Sequence, residues 1–236
     1  MSILFLKGSF EDECLRPFET KILSAISAEK NIPLAFKIGG CEAKTDIESA
    51  INYGAHCIVA PMIESEYAAK KFISATKPWE KFIKERNINI ETITAVNNIE
   101  KILEKNHKYI DGIVVGRTDL ALSMGLSKSM VDSKVVMKYV EDALRCAKKY
   151  DLITTMGGSV NMRSTGCIMD MNNKGILDRF ETRKVIMESS SSEEEIHNKV
   201  KNAFEIEVAF LERTVINYRV GLSASLGRIR AIDERG

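Results

Sequence analysis

Two acidic residues follow segments that the sequence predicts to be parallel strands. Glu91 lies near the end of the predicted strand at residues 87–93, and Asp119 comes three residues after the predicted strand at residues 112–116. In a barrel of parallel strands, the C-terminal strand ends meet at one mouth, where such enzymes carry their active site. A Glu and an Asp without neighbouring histidines form an oxygen-only site that suits Mg²⁺ or Mn²⁺. The alternative is that both are ordinary loop carboxylates.

Three further residues follow the first two predicted strands and could move protons or stabilise charge. Glu11 and Asp12 belong to an acidic turn after residues 3–8, and Lys37 lies near the end of residues 34–39. A strand-end acid can serve as a general base. A lysine can neutralise a substrate carboxylate or an enolate, or form a Schiff base if its pKa is depressed. A solvated acidic turn and a lysine on the outer face of its strand are the alternatives.

Two later strand ends carry polar patterns as well. The glycine pair and serine at residues 157–159 could hold a phosphate or a carboxylate with backbone N–H groups. Arg179, Glu181 and Arg183 occupy every second position of one predicted strand and therefore share a face. Inside a barrel these side chains would form a buried ion network, and outside it they would form an ordinary charged surface.

Seven predicted strands alternate with segments that have apolar residues at helical spacing. The strands cover residues 3–8, 34–39, 56–63, 87–93, 112–116, 152–157 and 179–187. This alternation predicts an α/β fold with a parallel sheet and right-handed crossovers. A (β/α)₈ TIM barrel needs an eighth strand. Three explanations stay open: a short strand escapes the pattern, an N-terminal strand is absent, or the barrel is open. A doubly wound sheet is the second fold hypothesis, although no G-x-G-x-x-G turn follows the first strand.

The last part of the chain has apolar residues on two sides of one long predicted helix. One stripe contains Ile196, Val200, Phe204, Val208, Leu211, Val215 and Tyr218, and the second contains Ile206, Ala209, Phe210, Ile216 and Val220. A single barrel covers only one side of a helix. We therefore divide the chain into a barrel with the active site, residues 1–192, and a helical segment, residues 193–236, which completes the barrel or an oligomer. A final core helix with a loose tail and a subunit interface fit the pattern about equally.

Composition limits the remaining function classes. The 236 residues include 34 Lys+Arg and 33 Asp+Glu, so the net charge is +1 and no general attraction to nucleic acid or membranes is expected. The N-terminal apolar run is too short for a signal peptide, and no stretch has the apolar length of a membrane span. Five scattered cysteines predict reduced thiols in a cytoplasmic protein, and three unpaired histidines argue against a zinc hydrolase.

Four short strings, taken in their order along the chain, resemble a known family. They are KIGGCEA at residues 37–43, VAPMIES at 59–65, ET at 91–92 and GRTDL at 116–120. Together they resemble the aldolase/citrate lyase β-subunit family, which includes class II pyruvate aldolases for 4-hydroxy-2-oxoheptanedioate. The resemblance implies a (β/α)₈ barrel and a divalent cation that Glu91 and Asp119 hold and pyruvate chelates. It also implies that backbone N–H groups at residues 117–119 hold the pyruvate carboxylate, and that subunits exchange the last helix.

Three departures from the family pattern affect the expected chemistry. Lys37 stands where the aldolases have an arginine, which keeps the charge but loses the bidentate fork. The Asp-Gly-Glu-His segment of the aldolases matches residues 8–12 poorly, and Phe10-Glu11-Asp12 looks more like the Leu-Glu-Asp of citrate lyase members. The Pro-Ala-Asp loop of the aldolases becomes Arg117-Thr118-Asp119, which is expected to place an extra cation beside the metal.

These features lead to one hypothesis and two alternatives. The hypothesis is a class II aldolase, a metal-dependent carbon–carbon lyase that joins pyruvate enolate to an aldehyde or cleaves a 2-oxo acid, and that forms a homo-oligomer. Its catalytic residues would be Lys37, Glu11 and Asp12, its substrate-binding residues Lys37, Arg117, Thr118 and Asp119, and its Mg²⁺ or Mn²⁺ ligands Glu91 and Asp119. The alternatives are a lyase that uses acyl-CoA or phosphoenolpyruvate, and a non-catalytic binding subunit with a barrel fold.

Overall fold

Eight short strands close into one barrel, and their order around the barrel is their order along the chain. The computed structural model describes residues 3–233. The strands are β1 Ile3–Ser9, β2 Leu34–Lys37, β3 Ala55–Ala60, β4 Glu85–Ile90, β5 Gly112–Gly116, β6 Ile153–Gly157, β7 Arg179–Glu181 and β8 Val185–Glu188. The first seven run parallel to one another, so their C-terminal ends share one mouth. The α/β barrel predicted from the sequence is confirmed.

The helices form a layer outside this barrel. They are α1 Pro17–Lys30, α2 Lys44–Asn52, α3 Glu66–Thr76, α4 Ile93–Asn106, α5 Arg117–Ser123, α6 Lys134–Lys148, α7 Thr165–Asn173 and α8 Glu193–Asp233. Side chains cap some of them directly after a strand: the Thr92 hydroxyl accepts a hydrogen bond from the Ala95 N–H at 3.0 Å, at the start of α4. Because this cap ends β4 abruptly, the preceding residue, Glu91, is fixed at the barrel mouth.

The eighth strand lies inside the segment that the sequence presents as a single strand. Residues 179–187 contain β7 and all of β8 except its last residue, and these two strands pair antiparallel, with Phe180 opposite Met187. β8 then pairs antiparallel with β1 and closes the barrel. The sequence count of seven strands is therefore wrong because a tight turn reverses the chain within one apolar run. The open-barrel and doubly wound hypotheses are wrong, and the last connection contains no crossover helix.

Two clusters of buried apolar side chains stabilise the fold. An apolar layer between strands and helices contains most of the buried aliphatic residues, and a smaller cluster fills part of the barrel itself. The members of the smaller cluster are Phe5, Ala35, Cys57, Val59, Val114 and Ile186. Charged side chains also lie inside the barrel: Arg179 donates two hydrogen bonds to Glu85, of 2.7 and 3.2 Å. The sequence places Arg179, Glu181 and Arg183 on one strand face. The first two lie inside the barrel, whereas Arg183 is exposed.

The C-terminal helix α8 is buried along one face only, and only in its first half. Ile196, Val200, Ala203, Ile206 and Phe210 pack into the main core. The exposed apolar residues of α8 are Phe204, Val208, Leu211, Val215, Ile216, Tyr218, Val220, Leu222, Leu226, Ile229 and Ile232. The buried face thus draws members from both predicted stripes. Within residues 3–233, no helix combines the length and apolarity that crossing a bilayer requires.

Candidate active site

A cavity of about 560 Å³ opens at the mouth of the barrel, where the parallel strands end. Side chains from several strand ends and from the loops that follow them border it. The charged and polar side chains at the border include Lys7, Asp12, Lys37, Asn89, Glu91, Thr118, Asp119 and Glu181. The sequence-predicted residues Lys37, Glu91, Thr118, Asp119 and Asp12 are therefore brought together at one mouth, as the strand-end argument requires.

Glu91 is the most enclosed carboxylate of this mouth. Its Oε1 accepts a hydrogen bond from the Met62 N–H at 2.9 Å, and its Oε2 accepts one from Asn89 Nδ2 at 2.8 Å. A Cβ atom on Gly116 would lie 2.8 Å from Oε2 of Glu91, so only glycine leaves room for the carboxylate. These contacts fix both oxygens, and Oε1, which accepts the hydrogen bond from Met62, keeps a lone pair that can bind a cation.

Asp119 lies in the first turn of α5, immediately after β5. Burial and the negative charge of Glu91 raise the pKa of Asp119 above its ordinary value, while Lys37 opposes this rise. A carboxylate whose charged form is disfavoured by a like charge gains most from a cation placed between the two groups. Glu91 and Asp119 are thus electrostatically coupled at the mouth, although they are 28 residues apart in the sequence.

Lys37 extends from the end of β2 into the same carboxylate group. Its ammonium lies 2.6 Å from Glu11 Oε2 and 3.3 Å from Glu91 Oε2. Burial disfavours the charge of Lys37, but the attraction of Glu91 and the hydrogen bond to Glu11 outweigh burial and raise its pKa. Lys37 is therefore a stable cation, which suits charge stabilisation and disfavours attack on a carbonyl as a free amine.

Glu11 and Asp12 occupy different environments in the turn after β1. The carboxylate of Glu11 is engaged by Lys37. Asp12 borders the cavity and lies 3.6 Å from Arg183. Burial acts to raise the pKa of Asp12, but the hydrogen bond with Ser9 and the positive charges of Lys37 and Arg183 lower it overall. Asp12 is consequently ionised at neutral pH and able to accept a proton.

The side chain of Arg117 does not reach the cavity, contrary to the expectation of an extra cation that binds substrate. It is fully buried and bonds Asp132 and the carbonyl oxygens of Gly157 at 3.0 Å and Gly158 at 2.9 Å. The guanidinium reaches these three partners and the Ser164 hydroxyl at 3.4 Å because it has five donors in one plane. Arg117 therefore ties the loop after β5 to the loop after β6 behind the mouth.

The backbone at the start of α5 is open toward the glycine loop after β6. A Cβ atom on Gly158 would lie 2.6 Å from the Arg117 nitrogen and 2.5 Å from the Thr118 nitrogen. Gly158 also has a φ of +82°, which side-chain-bearing residues rarely adopt. A glycine at this position leaves space over two N–H groups, the kind of cradle that holds a carboxylate. The Thr118 hydroxyl is 2.9 Å from the Ser159 hydroxyl at its edge.

The donor set at the mouth fits a small, hard divalent cation. Glu91 and Asp119 provide two carboxylates, and a cation between them would relieve the repulsion that raises the pKa of Asp119. Among residues 3–233, no three His, Cys, Asp or Glu side chains are grouped to hold a metal. Mg²⁺ suits a site with two protein carboxylates, because it keeps several waters and takes other ligands from the substrate. Glu91 and Asp119 would hold either Mg²⁺ or Mn²⁺.

Sequence reasoning missed two residues that border the cavity, Lys7 and Asn89. Asn87, Asn89 and Glu91 alternate with Ile88 and Ile90, a period-two pattern that marks one polar face of β4. In a barrel this face points inward, so the pattern could have identified Asn89. Lys7 is a lone charge in an apolar strand, and only its place in the barrel distinguishes it from an outward lysine.

Comparisons with known proteins agree with the barrel fold. The model of the HpcH/HpaI aldolase/citrate lyase family matches residues 39–165. No curated protein matches the sequence. An HpcH/HpaI aldolase from Desulfitobacterium hafniense has a similar structure, with 13% identity, a TM-score of 0.60 and coverage of 75% of this chain and 76% of that one. An HpcH/HpaI aldolase/citrate lyase family protein from Burkholderia cenocepacia is 15% identical, with a TM-score of 0.61, and the match covers 86% of this chain and 85% of that one. A citrate synthase variant is 13% identical, with a TM-score of 0.59, and the match covers 90% of this chain and 95% of that one.

Proposed function

The chain belongs to the HpcH/HpaI aldolase/citrate lyase family, and on that premise we propose that it is a carbon–carbon lyase of the class II aldolase type. Its substrates would be a 2-oxo acid such as pyruvate and an aldehyde, or the 2-oxo acid that these two form. The observation that carries the proposal is the coupled pair of Glu91 and Asp119 beside the protonated Lys37, at one barrel mouth.

The cation site supports metal dependence. A Mg²⁺ or Mn²⁺ ion, when bound, would supply a Lewis acid for the keto oxygen of the 2-oxo acid. Glu91 and Asp119 would hold that ion, and the hydrogen bonds of Glu91 keep its carboxylate in place. Residues that are fixed before the substrate arrives need no reorganisation during the reaction.

The protein groups around the pair divide the remaining tasks. The N–H groups of Arg117 and Thr118, open because residue 158 is glycine, would bind the substrate carboxylate. The Lys37 ammonium would offset the negative charge that develops when the carbon next to the keto group loses a proton. Asp12, which is ionised and borders the cavity, would accept that proton directly or through a water. The resulting carbanion equivalent then adds to the aldehyde carbon, and the aldehyde oxygen takes up a proton.

Proton exchange tests this proposal without knowledge of the aldehyde. With Mg²⁺ or Mn²⁺, the protein should exchange the methyl protons of pyruvate with heavy water, which proton NMR follows as loss of the methyl signal. A chelator or Asp119→Ala should abolish the exchange. Lys37→Ala should slow it by about 100-fold, the usual loss when one stabiliser of a developing negative charge is removed.

The exchange experiment has a clear contrary outcome. If no divalent cation supports exchange above the rate of free metal in buffer, the protein does not enolise pyruvate. The acyl-CoA, phosphoenolpyruvate and non-catalytic alternatives would then take precedence.

A further inference from the structure

A buried ion pair between Lys7 and Glu181 lies inside the barrel and borders the mouth cavity. Lys7 points inward from β1, and Glu181 ends β7. Their side chains are only 13% and 8% exposed. The proposed aldolase chemistry does not use either residue, so the pair needs a separate explanation.

A second ion pair deeper in the barrel provides the contrast. Arg179 and Glu85 are also mostly buried, at 15% and 16%, and both oxygens of Glu85 accept a hydrogen bond from Arg179. That pair does not border the cavity. Arg179–Glu85 is complete in itself, as a pair that merely fills a barrel should be.

The Lys7–Glu181 pair differs, because one oxygen of its carboxylate has no hydrogen-bond donor among the described residues. Oε2 of Glu181 is buried and has no hydrogen-bond donor within the part of the chain that the structure describes, and the same is true of Oδ1 of Asn89. A Cβ atom on Gly157 would lie 2.9 Å from Oε1 of Glu181, so glycine there makes the room that this carboxylate occupies. A buried acceptor without a donor is costly, so a ligand group that donates to Oε2 of Glu181 would be stabilised there.

The barrel order shows which part of a substrate would reach the pair. With eight strands in sequence order, β8 and β1 lie across the barrel from β4 and β5. Glu91 follows β4, and the N–H groups of Arg117 and Thr118 follow β5. A 2-oxo acid that is bound there through its carboxylate and keto oxygens would extend its remaining carbons across the mouth, toward Lys7.

The chemistry of the pair selects a neutral hydroxyl group. Lys7 offers N–H donors and Glu181 offers an acceptor, so a hydroxyl can donate to one and accept from the other. A second carboxylate would be repelled by Glu181, and a methyl group would leave Oε2 of Glu181 without a hydrogen-bond donor. We propose that Lys7 and Glu181 form a hydroxyl-binding subsite, and that the preferred donor is a 2-oxo acid with a hydroxyl group on the carbon next to the keto group. This inference rests on the proposed function.

Binding of three small 2-oxo acids tests the subsite. Pyruvate reports the 2-oxo acid site alone, and 3-hydroxypyruvate and 2-oxobutanoate add a hydroxyl or a methyl group of similar size at the same carbon. In calorimetric titrations with Mn²⁺ present, the protein should bind 3-hydroxypyruvate at least tenfold more tightly than 2-oxobutanoate. In the double variant Lys7→Met/Glu181→Met, this ratio should fall to about one.

Matched variants separate the subsite from general damage. The double change removes the pair together and leaves no uncompensated buried charge. Arg179→Met/Glu85→Met removes the equally buried deeper pair and should keep the wild-type ratio. Circular dichroism shows whether the double variant folds. If it does not, Glu181→Gln, which retains the size of the side chain, replaces it and should reduce the ratio.

The outcomes distinguish the two proposals. If pyruvate binds but 3-hydroxypyruvate and 2-oxobutanoate bind equally well to the wild-type protein, the subsite is wrong and the proposed function stands. A ratio that persists in Glu181→Gln and in the double variant likewise overturns the subsite. If none of the three acids binds, the proposed function fails and the inference falls with it.

Discussion

Glu91 illustrates how much of the site is fixed at the level of one residue. Its carboxylate is held by the Met62 N–H, the Asn89 amide and the Lys37 ammonium, and Gly116 leaves space for it. A neutral amide in its place would keep the shape of the side chain but could not offset the charge of Lys37 or of a cation. The charge of Glu91, rather than its size, is therefore what the site depends on.

Glu91→Gln should weaken Mg²⁺ or Mn²⁺ binding by about 100-fold or more, which corresponds to about 2.7 kcal/mol. Isothermal titration calorimetry measures this directly. Glu64→Gln is the matched control, because Glu64 also follows a barrel strand but accepts a hydrogen bond from Thr92 and lies outside the cavity lining. Equal metal affinity in the Glu91 variant and the control would remove the metal assignment.

Lys37 should act as a charged partner and not as a Schiff-base nucleophile. Glu91 and Glu11 raise its pKa, so the free amine that attacks a carbonyl is scarce at neutral pH. Borohydride reduction in the presence of pyruvate should therefore give no covalent adduct, as judged by intact-protein mass spectrometry. A mass increase that peptide mapping places on Lys37 would move the protein into the other aldolase class.

At the scale of secondary-structure elements, Arg117 connects the two loops that shape the carboxylate cradle. Its guanidinium bonds the Gly157 and Gly158 carbonyls after β6 and Asp132 before α6. Asp132 also accepts a hydrogen bond from the Ser164 hydroxyl at 3.3 Å, after the same β6 loop. The N–H groups of α5 and the glycines of the β6 loop thus hold their relative position through one buried side chain.

Arg117→Lys should destabilise the fold by about 2–4 kcal/mol, because a single ammonium cannot replace the fork and leaves buried carbonyls unpaired. Urea unfolding monitored by circular dichroism measures the change. Arg145→Lys is the control, since Arg145 is half-exposed in an ion pair with Glu141 and should lose less than about 1 kcal/mol. Equal stability of the two variants would contradict the role of Arg117 in connecting the two loops.

At the scale of the whole molecule, α8 carries many apolar side chains that the barrel does not cover. It has 41 residues, and beyond Phe210 its apolar side chains are exposed. Ion pairs and ring contacts with α1, such as Arg213 with Glu29 and Tyr218 with Phe18, attach its middle to the barrel. The stretch after Tyr218 has no comparable cover within the described chain, and exposed apolar surface of this extent is typical of an interface.

We expect α8 to bury this surface against another copy of the chain, so that the protein is a homo-oligomer. Multi-angle light scattering at micromolar concentration should give a multiple of 26.4 kDa. Leu222→Glu/Leu226→Glu should lower that mass, because each change places a charge at an exposed apolar position of the helix. Glu212→Gln, on the same helix, is the control. A monomeric wild-type protein would make this expectation wrong and leave the exposed apolar residues of α8 without a partner.

The sequence by itself determined the elements and the most informative residues of the mouth. Strand and helix periods are local, so alternating patterns located seven strand segments, and strand-end positions singled out Glu91, Asp119 and Lys37 before any contact was known. It did not determine strand direction within residues 179–187, because an apolar run looks the same whether it is one strand or two antiparallel ones.

Only the tertiary structure decided which side chains meet. Lys7 and Glu181 are 174 residues apart and pair because the barrel closes with only β8 between β7 and β1. The burial of the Arg117 side chain, away from the cavity, depends on the Gly157 and Gly158 carbonyls and on Asp132, which lie 15 to 41 residues further along the chain. Periodicity specifies the face on which a residue lies, whereas the partner across a barrel depends on closure, register and packing, which no local pattern encodes.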